Sequence, residues 1–153
     1  MEMPLKKLAQ QLGERLGARG MLVATAESCT GGWVAKVITD ITGSSLWFDR
    51  GFVTYSNQAK QEMLGVSART LADFGAVSRE TVIEMARGAV ERSRAAITVA
   101  VSGIAGPGGG TSDKPVGTVW FAWSMRDGSN ARVDTSCKLF TGDRELVREL
   151  TVA

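Results

Sequence analysis

A serine and a cysteine stand side by side in Ala26-Glu27-Ser28-Cys29-Thr30-Gly31-Gly32. This segment lies just after the apolar run Met21-Leu22-Val23-Ala24 and just before Val34, Val37, Ile38 and Ile41, which share one face at helical spacing. Strand, tight turn and helix in that order present a side chain at the head of a helix. Unpaired backbone N–H groups and the positive end of the helix dipole stabilise an anion or an oxyanion there. Ser28 is therefore a candidate nucleophile, and Thr30, Gly31 and Gly32 are candidates for substrate binding. The two glycines let a substrate come close to the backbone. The commoner role of a serine in this position is to cap the helix. A free cysteine most often packs as a small apolar residue, and Cys29 is read that way.

The chain has no histidine, so a serine nucleophile needs another base. Tyr55 is the one tyrosine, and if Ser56 caps a helix, Lys60 follows about a turn and a half later. A lysine stripped of water, or a tyrosine beside a lysine, accepts a serine proton. A lysine on a solvated face does not. A third segment, Ser102-Gly103-Ile104-Ala105-Gly106-Pro107-Gly108-Gly109-Gly110-Thr111, can wrap a phosphate with successive N–H groups. Ser102, Gly103, Gly106, Gly110 and Thr111 are its candidate binding residues. Five glycines within eight residues suggest a tailored loop rather than a slack one. It is not a Walker A loop, because no Gly-Lys-Ser/Thr closes it, and no Gly-x-Gly-x-x-Gly follows the first strand. Trp33, Trp47, Trp120 and Trp123 read as packing in the core or at an interface.

The elements that must carry these segments follow from the pattern. Leu5, Leu8, Leu12 and Leu16 lie at helical spacing behind Pro4, which suits a first turn. A strand is expected over Met21–Ala26, a helix over Thr30–Ile41 and a strand over Trp47–Thr54. Ser56 opens a short helix that Gly65 ends, and Ser67 caps another. Ser78 caps the clearest helix, with Val82, Ala86, Ala89 and Val90 as its buried stripe. Ala96–Ser102 is a nearly continuous apolar run, as in a strand covered on both faces. Val116–Met125 is the next strand, and Asp127-Gly128 signals a hairpin. The strand beyond alternates Val133, Thr135, Cys137 and Leu139 against Arg132, Asp134, Ser136 and Lys138, an edge pattern. Asp143 caps a last helix through Leu150. Helices alternating with strands, closed by a hairpin, predict a three-layer α/β/α fold with a mixed sheet. All three chemical segments fall at strand ends, where ligands collect in open α/β sheets.

Composition narrows the function class. The 153 residues carry 18 basic and 16 acidic side chains, enough for one domain with a sizeable core. No basic block suggests nucleic acid, and no apolar run is long enough for a membrane span. The first residues lack a secretory pattern, and two distant cysteines form no disulfide framework. A reduced, cytoplasmic setting is expected. With no histidine, a zinc site is not expected.

In this order, five stretches resemble the CinA C-terminal domain family: Ala26–Gly32; Val53-Thr-Tyr-Ser-Asn57 with Lys60 and Leu64-Gly-Val66; Gly75-Ala-Val-Ser78; Ser102-Gly-Ile-Ala-Gly-Pro107; and Lys114-Pro-Val-Gly-Thr-Val119. Gly142-Asp-Arg144 also fits the pattern. The resemblance spans nearly the whole chain. It implies a nicotinamide-nucleotide amidohydrolase, which hydrolyses the carboxamide of nicotinamide mononucleotide to nicotinic acid mononucleotide and ammonia. It further implies Ser28 as nucleophile, with Tyr55 and Lys60 as base or proton relay. No metal or organic cofactor is expected, and a homo-oligomer is. The family pattern leads one to expect glycine near Arg50, and an arginine there would shape the substrate mouth or an interface. Some relatives carry a second, N-terminal domain, so this chain reads as a stand-alone version. Two other readings remain open: a non-catalytic pyridine-nucleotide binding or regulatory module, and a Ser–Lys amidase for another small amide.

Overall fold

Five strands form one sheet in the computed structural model, which describes residues 4–127 and 130–153. The strands are β1 (Val23–Glu27), β2 (Phe48–Val53), β3 (Ile97–Gly103), β4 (Thr118–Asp127) and β5 (Asn130–Leu139), in the order β2-β1-β3-β4-β5. β1 runs parallel to β2 and β3, whereas β3–β4 and β4–β5 are antiparallel. The sheet is mixed, as expected. The turn expected at Asp127-Gly128 lies outside the described residues, although Asp127 and Asn130 pair at its base.

Six α-helices cover the two faces: α1 (Leu5–Ala18), α2 (Trp33–Thr39), α3 (Asn57–Leu64), α4 (Ala68–Phe74), α5 (Arg79–Glu91) and α6 (Arg144–Val152). Alternation along the strands decides which residues meet which layer. Ala26, Ala100 and Ala122 face α3, α4 and α5 in a core with Leu64, Leu71, Val82, Met85, Ala86 and Ala89. On the other face Val23 packs with Leu16, Ile38 and Trp47 beneath α1 and α2, and Val101, Val119 and Phe121 pack against Val147 of α6. Full burial of side chains such as Val82 and Met85 stabilises the fold by about 1.5–3 kcal/mol each. This is the expected three-layer architecture.

Sequence-local signals set most boundaries. Ser56, Ser67, Ser78 and Asp143 each accept a backbone N–H in the first turn of α3, α4, α5 and α6. The edge pattern of β5 is matched by its place at the end of the sheet. The difference lies at α2, which begins at Trp33 rather than Thr30 and ends at Thr39. The four residues after Ser28 form a separate tight turn instead. Gly31 and Gly32 make it possible, at φ +60° and +102°, values that side chains disfavour. No helix among the described residues is long and apolar enough to cross a membrane.

Candidate active site

The parallel register puts the C-terminal ends of β2, β1 and β3 abreast. Glu27 pairs with Val53 on one side and Val101 on the other. The pairing runs one step further: the Thr54 N–H donates to the Glu27 carbonyl at 2.8 Å, and the Ser28 N–H to the Val101 carbonyl at 3.1 Å. Ser28, Thr54 and Ser102 therefore stand in a row. Side-chain alternation turns all three towards the α3–α5 layer, the side from which Lys60 of α3 approaches.

Lys60 is 1 % exposed. Its Nζ lies 2.9 Å from Ser28 Oγ, 2.9 Å from the Thr54 carbonyl and 3.1 Å from the Tyr55 carbonyl. No carboxylate forms an ion pair with it among the described residues. Burial pulls its pKa down to about 8, an effect that the nearby Cys29 sulfur partly opposes. The neutral amine has two N–H bonds and one lone pair. Carbonyls only accept hydrogen bonds, so the two carbonyls take the N–H groups and the lone pair is left facing the Ser28 hydroxyl.

Cys29 is buried next to this pair, and desolvation pushes its thiol up to about 11. A thiol in that state is a poor nucleophile. Tyr55 contributes its backbone carbonyl to Lys60. Its side chain is largely exposed, and its hydroxyl accepts from Arg144 Nη2 at 3.1 Å. Among the described residues no hydrogen bond joins that hydroxyl to Lys60 or Ser28. Thr54 Oγ1 and Ser102 Oγ are buried without a hydrogen-bond partner.

The turn after Ser28 is held from inside. Glu27 is fully buried, and its carboxylate accepts from Thr30 Oγ1 at 2.5 Å, the Val34 N–H at 2.8 Å and the Ala35 N–H at 3.0 Å. It thus supplies the anion at the head of α2, the role open to Ser28 in the sequence. The Gly31 N–H donates to the Ser28 carbonyl at 3.1 Å. No acceptor meets the N–H groups of Cys29 or Gly32 among the described residues. The Thr30 N–H likewise has no acceptor among the described residues, and of these three residues only Gly32 is not buried. Sequence reasoning missed Glu27, although an acidic side chain just ahead of a helix was the available signal.

The glycine loop is brought to the site at one limb. Ser102 and Gly103 end β3, and the Gly106 carbonyl accepts from Arg144 Nη1 at 2.7 Å. Gly110 and Thr111 lie on the far limb: a Cβ on Gly110 would stand 2.8 Å from the Val116 nitrogen, and Thr111 pairs with Lys114. Arg148, one turn beyond Arg144, donates from Nε to the Cys29 carbonyl at 3.0 Å and from Nη2 to the Thr30 carbonyl at 3.2 Å. Neither arginine has a carboxylate within ion-pair distance among the described residues. These two guanidinium groups had no signal in the sequence beyond the Gly142-Asp-Arg144 resemblance. Arg50 bonds Asp49 and the Arg92 carbonyl, tying β2 to the end of α5. An apolar groove of about 340 Å³ lies on the opposite face under α1 and α6, among Leu8, Leu12, Val99 and Trp123. It offers no group for chemistry.

The sequence profile described as the CinA C-terminal domain matches residues 5–153. The chain belongs to the CinA C-terminal domain family. Among its relatives, the nicotinamide-nucleotide amidohydrolase PncC of Escherichia coli (strain K12) is 58% identical over 149 residues, covering 97% of this chain and 88% of that protein. The protein of the same name from Pseudomonas putida is 52% identical over 149 residues, covering 97% and 91%. Solved CinA-family structures share the fold. The competence/damage inducible protein CihA of Agrobacterium tumefaciens superposes with a TM-score of 0.90 at 48% identity, covering 99% of this chain and 93% of that one. The competence damage-inducible protein A of Klebsiella pneumoniae subsp. pneumoniae MGH 78578 gives 0.93 at 41%, covering 98% and 91%.

Proposed function

We propose that this chain is a nicotinamide-nucleotide amidohydrolase that uses a Ser28–Lys60 pair. The observation that carries the reading is the buried lysine whose lone pair has only the Ser28 hydroxyl to face. A binding module has no need of a buried lysine without a carboxylate partner, which costs stability. The relatives' names point to the same reaction.

In the first step the Ser28 oxygen attacks the carboxamide carbon while its proton passes to Lys60. The N–H groups of Cys29 and Gly32 receive the oxyanion of the tetrahedral intermediate. The Lys60 ammonium returns the proton to the amide nitrogen as the C–N bond breaks, and ammonia leaves. Water then attacks the acyl-enzyme, with Lys60 taking its proton, and the carboxylate is released with Ser28 restored. Tyr55 holds the mouth of the site through Arg144. Arg144 and the near limb of the glycine loop, Gly103 to Gly106, give the 5′-phosphate a cationic, donor-rich seat, which favours a mononucleotide over free nicotinamide.

Ammonia release from nicotinamide mononucleotide by purified protein, beside Ser28→Ala, tests this. Turnover by the wild type and none by the variant is expected, with the variant still binding the mononucleotide. Near-normal release by Ser28→Ala would remove the covalent mechanism. Equal turnover of free nicotinamide would remove the phosphate seat.

A further inference from the structure

Arg148 stands outside the reacting pair yet makes the most direct contact of any α6 residue with the nucleophile turn. The carbonyls of residues 28, 29 and 30 follow one another beside the reacting centre. The Ser28 carbonyl is satisfied by Gly31, and the Thr30 carbonyl by Trp33 at 3.1 Å as well as by Arg148. The Cys29 carbonyl has Arg148 as its one hydrogen-bond donor among the described residues. The guanidinium is itself held in place, 5.8 Å above the Trp33 ring, a cation–π contact within the first turn of α2. Gly31 lies against it, since a Cβ there would meet Nη2 at 3.5 Å, an ordinary contact.

We propose that Arg148 is a positioning residue that fixes the facing of the 29–30 peptide, and with it the direction of the carbonyl dipoles around Ser28. This role rests on the amidohydrolase reading above. A buried carbonyl that loses its donor seeks another, because leaving it unpaired costs about 1–3 kcal/mol. Rotation of the 29–30 peptide, about ψ of Cys29 and φ of Thr30, is the local response. That rotation would swing a carbonyl oxygen towards the space where the oxyanion forms, replacing attraction by repulsion. It would also turn the Thr30 N–H, which shares that plane, and disturb the turn whose Cys29 and Gly32 N–H groups flank the site. Arg148 acts through the turn and touches neither the reacting atoms nor the substrate.

The test compares wild type, Arg148→Met and Arg148→Lys on nicotinamide mononucleotide, with a second readout from its 3-formyl analogue. The analogue's carbonyl takes up the Ser28 oxygen and, by way of Lys60, the serine proton, mimicking the tetrahedral intermediate. Arg148→Met should lower kcat by about 10- to 100-fold, leave KM and product affinity within about threefold, and weaken the formyl analogue in step with kcat. A loss of stability alone would not move analogue and product affinities apart. An unchanged kcat, or a raised KM at constant kcat, would overturn the proposal, the latter by showing that the guanidinium touches substrate. If Arg148→Met does not fold, Arg148→Lys carries the test. It keeps the charge without bridging both carbonyls, and kcat should fall about tenfold; full activity would overturn the proposal. A wild type that releases no ammonia would instead overturn the functional reading, and the formyl analogue alone would then judge Arg148.

Discussion

Lys60 is neutral only above its lowered pKa, and a general base must be neutral to act. We expect kcat/KM to rise about tenfold per pH unit below pH 8 and to level above it. Lys60→Met should cut kcat by roughly 100-fold or more and abolish that rise. The same shift has a stability consequence of definite sign. Between about pH 8 and 10.5 the unfolded lysine keeps a proton that the folded one has lost, so folding becomes more favourable as pH rises, by up to about 3 kcal/mol. Cys29 acts oppositely: its folded thiol keeps a proton to about 11 while the unfolded one loses it near 9. Denaturant titrations of wild type and Lys60→Met across this range cancel the cysteine contribution and isolate the lysine's. Ser28 and Lys60 were both legible in the sequence as candidates, because a hydroxyl at a strand–helix turn and the lack of histidine limited the choices. Their burial was not legible. Nothing in a helix reading Asn57-Gln58-Ala59-Lys60 says that its lysine turns inward. That follows from α3 lying on the face to which β1 directs Ser28.

At the scale of elements, the approach of α3 to α5 determines where that lysine sits. A Cβ on Gly88 of α5 would fall 1.9 Å from the Leu64 carbonyl, one turn beyond Lys60. Gly88→Ala should therefore destabilise the protein by about 1–3 kcal/mol through overpacking. It should also lower kcat, since α3 must shift to relieve the clash. Gly17→Ala is the control: it sits near the end of α1 with nothing within 4 Å of an added Cβ. It should stabilise by about 0.5–1 kcal/mol and leave kcat unchanged. Melting temperature and kcat on both variants check the pair. The elements themselves were legible from caps and periodicity, down to the serines that open α3, α4 and α5. The start of α2 was misread because Ser28 sits where a capping serine would sit, while Glu27 performs the capping from inside the sheet. A periodicity argument cannot tell which of two adjacent polar residues turns towards the helix.

For the whole molecule, the site is a place where distant parts of the chain meet. Ser28 comes from the end of β1, Lys60 from α3, the glycine loop from the end of β3, and the two arginines from α6. The layered architecture was legible because alternating helices and strands leave few ways to cover a sheet. The Arg148 contacts were not, since their partners are backbone carbonyls 118 and 119 residues away, to which side-chain type gives no clue. That separation sets an order of events. Contacts so remote in sequence form after local ones, because closing a long loop costs entropy before it returns any contact energy. A chain that has already paired β1 with β2 and β3 holds Ser28 opposite Lys60, yet the Cys29 carbonyl lacks its donor until α6 docks. Catalysis should then be the last property to return after dilution from denaturant, lagging behind the recovery of tryptophan fluorescence from buried Trp47. Recovery of the two together would mean that α6 docks with the rest of the fold.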